Sequence, residues 1–236
     1  MSRKGRLRRF FAGARITQGA LYLLFTEVGL SLVYLMSKTD VRAEIASWLV
    51  ATPKTVWADF KIWTLVTSGV VEIDFVSLIF HGFILWMFVP TLERWWGLKR
   101  FLLFALWTTL ASTVVGTLVG YGLGQHVAVA GLDGFIYGSI VAFGVLYADQ
   151  PVQFFGVLPM TGKQLMIGIT AFVALFVVLG QQWSQGAGWA SSMLLAWLLT
   201  NGKWTPRLWW LKRKQKKLRR HLRLVKDDDD PKKWLN

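Results

Sequence analysis

The sequence predicts an all-α membrane protein: a bundle of six transmembrane helices with its N- and C-termini in the cytoplasm. Three observations carry this. Of 236 residues 54% are hydrophobic, with 14 Trp and 16 Phe, and the mean hydropathy is +0.42, too apolar for an ordinary soluble domain. The apolar residues gather in six stretches near the roughly 20 residues that a helix needs to cross a hydrocarbon core of about 30 Å. The formal charge of +14 lies mainly at the two ends of the chain, flanking those stretches.

The expected spans are 17–36, 73–92, 101–121, 131–148, 164–181 and 186–201. Residues 1–16 form a basic cytoplasmic N-terminus. They are similar to the charged start of a signal peptide, but the span that follows runs the full width of a membrane without a clear small-residue cleavage site, which reads as an uncleaved helix. Residues 17–202 make the membrane domain. Within it, 37–72 is an extracytoplasmic loop in which Trp48, Trp57, Phe60 and Trp63 are spaced among charged residues. That loop reads either as interfacial helices in an aromatic belt or as a lateral lid beside a cavity. Residues 203–236 form a basic cytoplasmic tail. Its run from Lys212 to Lys226 is strongly basic, with Leu211 just ahead of it and Leu218, Leu222 and Val225 within it at near-helical spacing, and Asp227 to Asp230 and Pro231 end it, the pattern of a helix lying on an anionic leaflet.

Charge bias sets the orientation. With an even number of spans, the termini and the loops after the second and fourth spans share one side, and these hold Arg3 to Arg15, Arg94, Lys99, Arg100, Lys163 and the tail. The positive-inside rule makes that side cytoplasmic. Loops 122–130 and 182–185 carry no Lys or Arg, and in 37–72 Lys38, Arg42, Lys54 and Lys61 are partly balanced by Asp40, Glu44, Asp59 and Glu72.

Composition also limits the chemistry. The absence of cysteine excludes disulfides, thiolate catalysis and thiolate metal sites, and His81, His126 and His221 are too few for a histidine-rich metal cluster. No cofactor and no metal are expected. The basic segments lack a nucleic-acid recognition motif, so the expected partner is a lipid bilayer with anionic headgroups rather than nucleic acid.

The most informative segment is Gly131-Leu132-Asp133-Gly134-Phe135-Ile136-Tyr137-Gly138, where small residues open an apolar helix and a carboxylate stands where lipid-depth helices rarely tolerate one. It resembles the active-site segment of the rhomboid intramembrane proteases, with Asp133 in the nucleophile position. Further similarity lies in Pro53 to Thr67, in Leu85 to Gly97 with its Leu92-Glu93 pair ahead of Arg94 and Gly97, and in Tyr147 to Val152 and Leu158 to Lys163. The resemblance covers about residues 48–202.

The resemblance implies a serine at the head of the fourth helix, a histidine base on the sixth, and oxyanion-holding residues on the second. Here those positions fall on Asp133, Gly188, and His81 with Ser77, and the upstream loop histidine position falls on Glu72. Without both members of the dyad the hydroxyl is unactivated, so ordinary rhomboid hydrolysis is not expected. A carboxylate-based route needs two carboxylates sharing a proton, and no second one is expected at the depth of Asp133. A metal route needs about three ligands, for which Ser77 is a poor third.

His81 and Asp133 are expected to face one another, either as a structural pair or as the lining of a hydrated cavity that grips a client. Glu27, within the first span, reads as a hydrogen-bonded structural residue or as part of an ion path. The client-binding or cavity candidates are therefore His81, Asp133, Ser77, Glu72 and Glu27. Gly131, Gly134, Gly138, Ala187 and Ser191 are the helix-packing candidates, expected to bring the fourth and sixth helices close.

What the resemblance implies is a rhomboid-family pseudoprotease that binds or retains transmembrane client proteins, in a bacterial cytoplasmic membrane. The alternatives are a rhomboid peptidase with residual or altered activity and an ion or solute carrier using Glu27, His81 and Asp133.

Overall fold

The computed structural model describes residues 16–154 and 158–201. Nearly all of the basic N-terminus and the basic tail lie outside the described residues. Helix α1 (Gln18–Met36) is followed by α2 (Thr39–Leu49), α3 (Pro53–Trp57) and α4 (Thr64–Thr67), the last continuing into a 3-10 turn, Ser68–Val70. Then come α5 (Phe75–Met87), α6 (Val89–Trp96), α7 (Leu98–Leu123), α8 (Asp133–Leu146), strands β1 (Pro151–Phe154) and β2 (Leu158–Thr161), α9 (Gly162–Gly180) and α10 (Trp183–Thr200). The protein is an all-α membrane protein with one small departure: the expected loop after the fourth span contains an antiparallel hairpin that pairs Pro151 with Thr161.

A helix stands at each of the six expected positions, with altered limits. Among the described residues, three helices are long and apolar enough to cross a membrane, namely α1, α7 and α9. The count rises to four if α4 with its 3-10 turn and α5, bent by 79°, form one span. Helix α8 has only 14 residues. The expected span 73–92 is divided at Phe88, because Pro90 has no N–H to continue the ladder of α5 and sits instead in the first turn of α6. At its other end α5 begins where Asp74 Oδ2 accepts from the Ser77 N–H at 2.7 Å.

The core forms around α8. Phe135, Ile136, Ile140, Ala142 and Phe143 pack against Leu85, Phe88, Leu92, Phe101 and Phe104, with edge-on pairs Phe101–Phe135 at 5.7 Å and Phe88–Phe143 at 5.4 Å. Helices α1 and α9 instead expose large apolar side chains such as Phe25, Met36, Phe172 and Leu179, as a lipid-facing helix does.

Helix α7 carries a buried stripe of small polar residues. Thr108, Thr113 and Thr117 donate to carbonyls one turn back on the same helix, at 2.8, 3.1 and 2.7 Å, so no hydroxyl is stranded and the backbone stays accessible to its neighbours. The sequence assigned close approach to the fourth and sixth helices, and α7 joins them in the contact. A Cβ on Gly134 would lie 2.4 Å from Ser112 Cβ, and one on Gly138 would meet Thr108 Cγ2 at 3.1 Å and Ala196 Cβ at 3.4 Å. Ser191 Oγ donates to the Ala111 carbonyl at 2.9 Å, tying α10 to α7, and Ala187 is half-buried beside it.

The 37–72 segment is organised by side chains that reach backbone carbonyls. Arg42 Nη2 donates to Leu35 O at 2.5 Å, Lys61 Nζ to Ser47 O at 2.9 Å, and Trp63 Nε1 to Trp48 O at 3.0 Å. The Lys61 ammonium also lies 4.8 Å above the Trp48 ring, which stacks on Trp63. Helix α2 buries none of its residues.

Candidate functional site

Three carboxylates from three parts of the chain converge on one imidazole from a fourth. Glu27 comes from α1, Glu72 from the link between the 3-10 turn and α5, His81 from the middle of α5, and Asp133 from the first position of α8. His81 Nδ1 lies 2.6 Å from Glu27 Oε1 and 3.6 Å from Glu72 Oε2, while Nε2 lies 3.0 Å from Asp133 Oδ1. The side chains of Glu27, His81 and Glu72 are 0%, 4% and 5% exposed, and that of Asp133 is 27% exposed. Asp133 is thus the outward edge of an otherwise enclosed cluster.

The local backbone holds these groups. Glu72 Oε1 accepts from the N–H groups of Ile73 and Asp74 at 2.9 and 3.0 Å, and the Glu72 N–H donates to Ser31 Oγ at 2.8 Å. Glu27 Oε1 takes a long bond of 3.4 Å from the Leu132 N–H. The loop that leads into α8 is pinned over the cluster by Gly131, whose N–H donates to Ser68 O at 2.8 Å and Val71 O at 2.9 Å. Position 131 needs glycine twice over: φ is +74°, and a Cβ would lie 1.9 Å from Glu72 Oε2.

After these bonds are made, Glu27 Oε2 and Glu72 Oε2 remain buried without a hydrogen bond among the described residues. Three carboxylates face one imidazole, so a single proton on His81 cannot neutralise them. The arrangement can hold protons or a cation between its oxygens. The candidate ligand atoms of Glu27, Glu72 and His81 all lie within 4.8 Å of one another.

Of the residues singled out from sequence, the structure brings together His81, Asp133, Glu72 and Glu27. The last was expected with His81 only as a fellow cavity or carrier candidate, not as its bonded partner. One expectation is corrected: Glu27 and Glu72 are further carboxylates beside the same imidazole as Asp133, where no second one was expected. Glu72, which the sequence offered both as a cavity candidate and as a charge of the outer loop, is buried in the cluster. Ser77 stays apart. It is half-buried in the first turn of α5, its N–H engaged by Asp74, and no hydrogen bond joins it to the cluster among the described residues.

Gly188, where the resemblance places the base, packs against α7, where a Cβ would lie 2.6 Å from the Ser112 carbonyl oxygen. A histidine has no room there without displacing backbone. Ser191 and Ser192 donate to the carbonyls of Gly188 at 2.7 Å and Trp189 at 2.8 Å, and His81 spends both ring nitrogens on carboxylates. Two ionisable residues within apolar spans each carry a large desolvation cost that pairing relieves, a signal that asks for a partner for Glu27 without choosing His81.

A family model described as "Eukaryotic integral membrane protein (DUF1751)" matches residues 20–200. The chain belongs to this family. The DUF1751 family is widely known as rhomboid-like, which agrees with the superfamily suggested by the motifs. No curated protein matches the chain. Membership corrects the expected location. DUF1751 is a eukaryotic family, so the protein belongs in a eukaryotic membrane and not in a bacterial cytoplasmic one.

Proposed function

We propose that this member of the family is a rhomboid-type protein without serine-protease chemistry that binds or retains transmembrane segments of client proteins. The observation that carries the reading is Asp133. It occupies the head of α8, where the resemblance places the nucleophile, is held by His81 at 3.0 Å, and keeps 27% of its side chain exposed. A carboxylate so placed can accept a hydrogen bond from a polar residue in a passing helix, and it cannot perform the attack of an activated serine. The crowded Gly188 position supports the same conclusion, since it leaves no place for a base.

In this reading the chain crosses the membrane six times with both termini cytoplasmic. Helix α8 is short, about 21 Å at 1.5 Å per residue, but ten of its 14 residues are buried, so it is enclosed by other helices and need not match the lipid thickness. A reporter fused after Asn236 should be cytoplasmic and one inserted at Gly124 lumenal or extracellular. An outward C-terminus would break the six-span arrangement.

The functional reading is tested with reconstituted protein offered two partners. Single-span peptides carrying a mid-span Asn or Lys should be captured by photo-crosslinking in preference to all-Leu controls, with Asp133→Ala losing the preference while still folded. A fluorophosphonate probe should leave the protein unlabelled. Labelling abolished by one serine substitution, at Ser191 or Ser192 for example, would instead establish a peptidase, and capture that ignores the peptide's polar residue would remove the role of Asp133.

A further inference from the structure

The buried side of the cluster supports a site that does not depend on client binding. We propose that Glu27, Glu72 and His81 bind a divalent first-row transition-metal ion, with Zn2+ as the test case, and that Asp133 orients His81 from the opposite ring nitrogen. The three side chains are buried, and their candidate ligand atoms lie within 4.8 Å of one another.

Independent of that proximity, two oxygens are left over. Glu27 Oε2 and Glu72 Oε2 are buried and make no hydrogen bond among the described residues, a costly state for a carboxylate oxygen that a cation would relieve. Glu72 is already fixed through Oε1 by two backbone N–H groups, so Oε2 is presented toward His81 rather than free to turn away. Glycine at position 131 keeps the space beside that oxygen clear, since a Cβ would intrude to 1.9 Å.

The imidazole is set up as a ligand. With Nε2–H donating to Asp133 Oδ1 at 3.0 Å, the lone pair of Nδ1 points at Glu27 Oε1 and Glu72 Oε2. A lone pair facing two carboxylates is repulsive unless a proton or a metal ion stands between them. A carboxylate behind a metal-binding histidine fixes its tautomer and raises its basicity. Bonds of about 2.0–2.2 Å in a tetrahedral site put ligand atoms roughly 3.3 Å apart. The Glu72–His81 separation of 3.6 Å fits, and the Glu27–His81 separation of 2.6 Å has to open by less than 1 Å. One imidazole and two carboxylates suit Zn2+, Mn2+ or Fe2+, while Ca2+ and Mg2+ prefer all-oxygen shells.

The test uses the full-length protein in detergent, stripped with a chelator and titrated with ZnCl2, with bound metal counted by mass spectrometry and thermal melting followed in parallel. One Zn2+ per chain and a rise in melting temperature are expected, with neither produced by MgCl2 or CaCl2. Glu72→Gln should weaken binding by about 100-fold or more. Asp133→Asn, at the partly exposed edge, should fold and weaken it by about 10–100-fold, as loss of an outer carboxylate does. A joint His126→Ala/His221→Ala variant should retain the ion. Folded wild type that takes up no Zn2+, or an uptake unchanged in both Glu72→Gln and Asp133→Asn, would overturn the site and leave a cluster that only shares protons. Neither result bears on client capture.

Discussion

Replacing Glu93 by alanine should lower the stability of the detergent-solubilised protein by about 3 kcal/mol or more, a fall of roughly 10 °C in melting temperature for a chain of this size. Glu93 is buried on α6, but its work is done on α1. Oε1 accepts from the Gly19 N–H at 2.9 Å, and Oε2 accepts from the Ala20 N–H at 3.0 Å and from the Thr17 hydroxyl. Those N–H groups belong to the first turn of a helix, where no intrahelical partner exists, and Thr17 supplies no side-chain cap of its own. The carboxylate therefore satisfies the orphan donors and places negative charge at the positive end of the helix dipole. Hydrogen bonds to a charged group contribute about 1.5–3 kcal/mol each, and removing the acceptor strands two of these donors together in a poorly solvated place. Glu93→Gln retains one carbonyl oxygen but turns an amide toward an N–H group, so it should recover only part of the loss. A melting curve for Glu93→Ala within about 2 °C of wild type would show that α1 is capped by something else.

This same residue marks how far the sequence could be read. Leu92-Glu93 was conspicuous as part of a resemblance, yet the task of the carboxylate depends on a contact across more than 70 residues, which no local pattern contains. The helices themselves were legible, because apolar stretches near membrane length are a one-dimensional property. Their limits were less so: Pro90 was visible and its missing N–H implies the break that divides the second stretch, whereas the β1–β2 hairpin lacks any clear alternation. Helix α8 illustrates the opposite difficulty. Length and hydropathy judge a helix against lipid, but this one is solvated by other helices, so they understate it. At the cluster, the sequence identified each expensive side chain and paired His81 with Asp133. It could not assign Glu27 to the same imidazole, since residue type and depth restrict the partners without choosing among them. For Gly188 the resemblance implies that the position of the base is empty, and only the packing against Ser112 shows that a side chain there would run into backbone.

His81→Ala should cost about 3–5 kcal/mol in chelator-treated protein, the range expected when one member of a buried ionic group is removed and its partners are stranded. His81 is the central partner of Glu27, Glu72 and Asp133, at 2.6, 3.6 and 3.0 Å. Without it, two enclosed carboxylates face one another across a cavity of side-chain size, with Glu27 fully buried on α1 and Glu72 anchored by the backbone at the start of α5. The three losses are therefore not independent. Asp133→Ala alone should cost less, about 1–2 kcal/mol, because its carboxylate is partly exposed and water replaces some of what His81 supplied. Combined with His81→Ala it should add less than that, giving a coupling on the order of 1 kcal/mol or more. Glu27→Gln in the His81→Ala background should be closer to neutral or even restore stability, since it removes a charge that no longer has a partner, whereas in the wild-type background the same change should destabilise. That reversal of sign is the informative measurement. If Glu27→Gln costs the same in both backgrounds, the 2.6 Å contact contributes nothing to folding, and α1 and α5 are held together by their apolar faces alone.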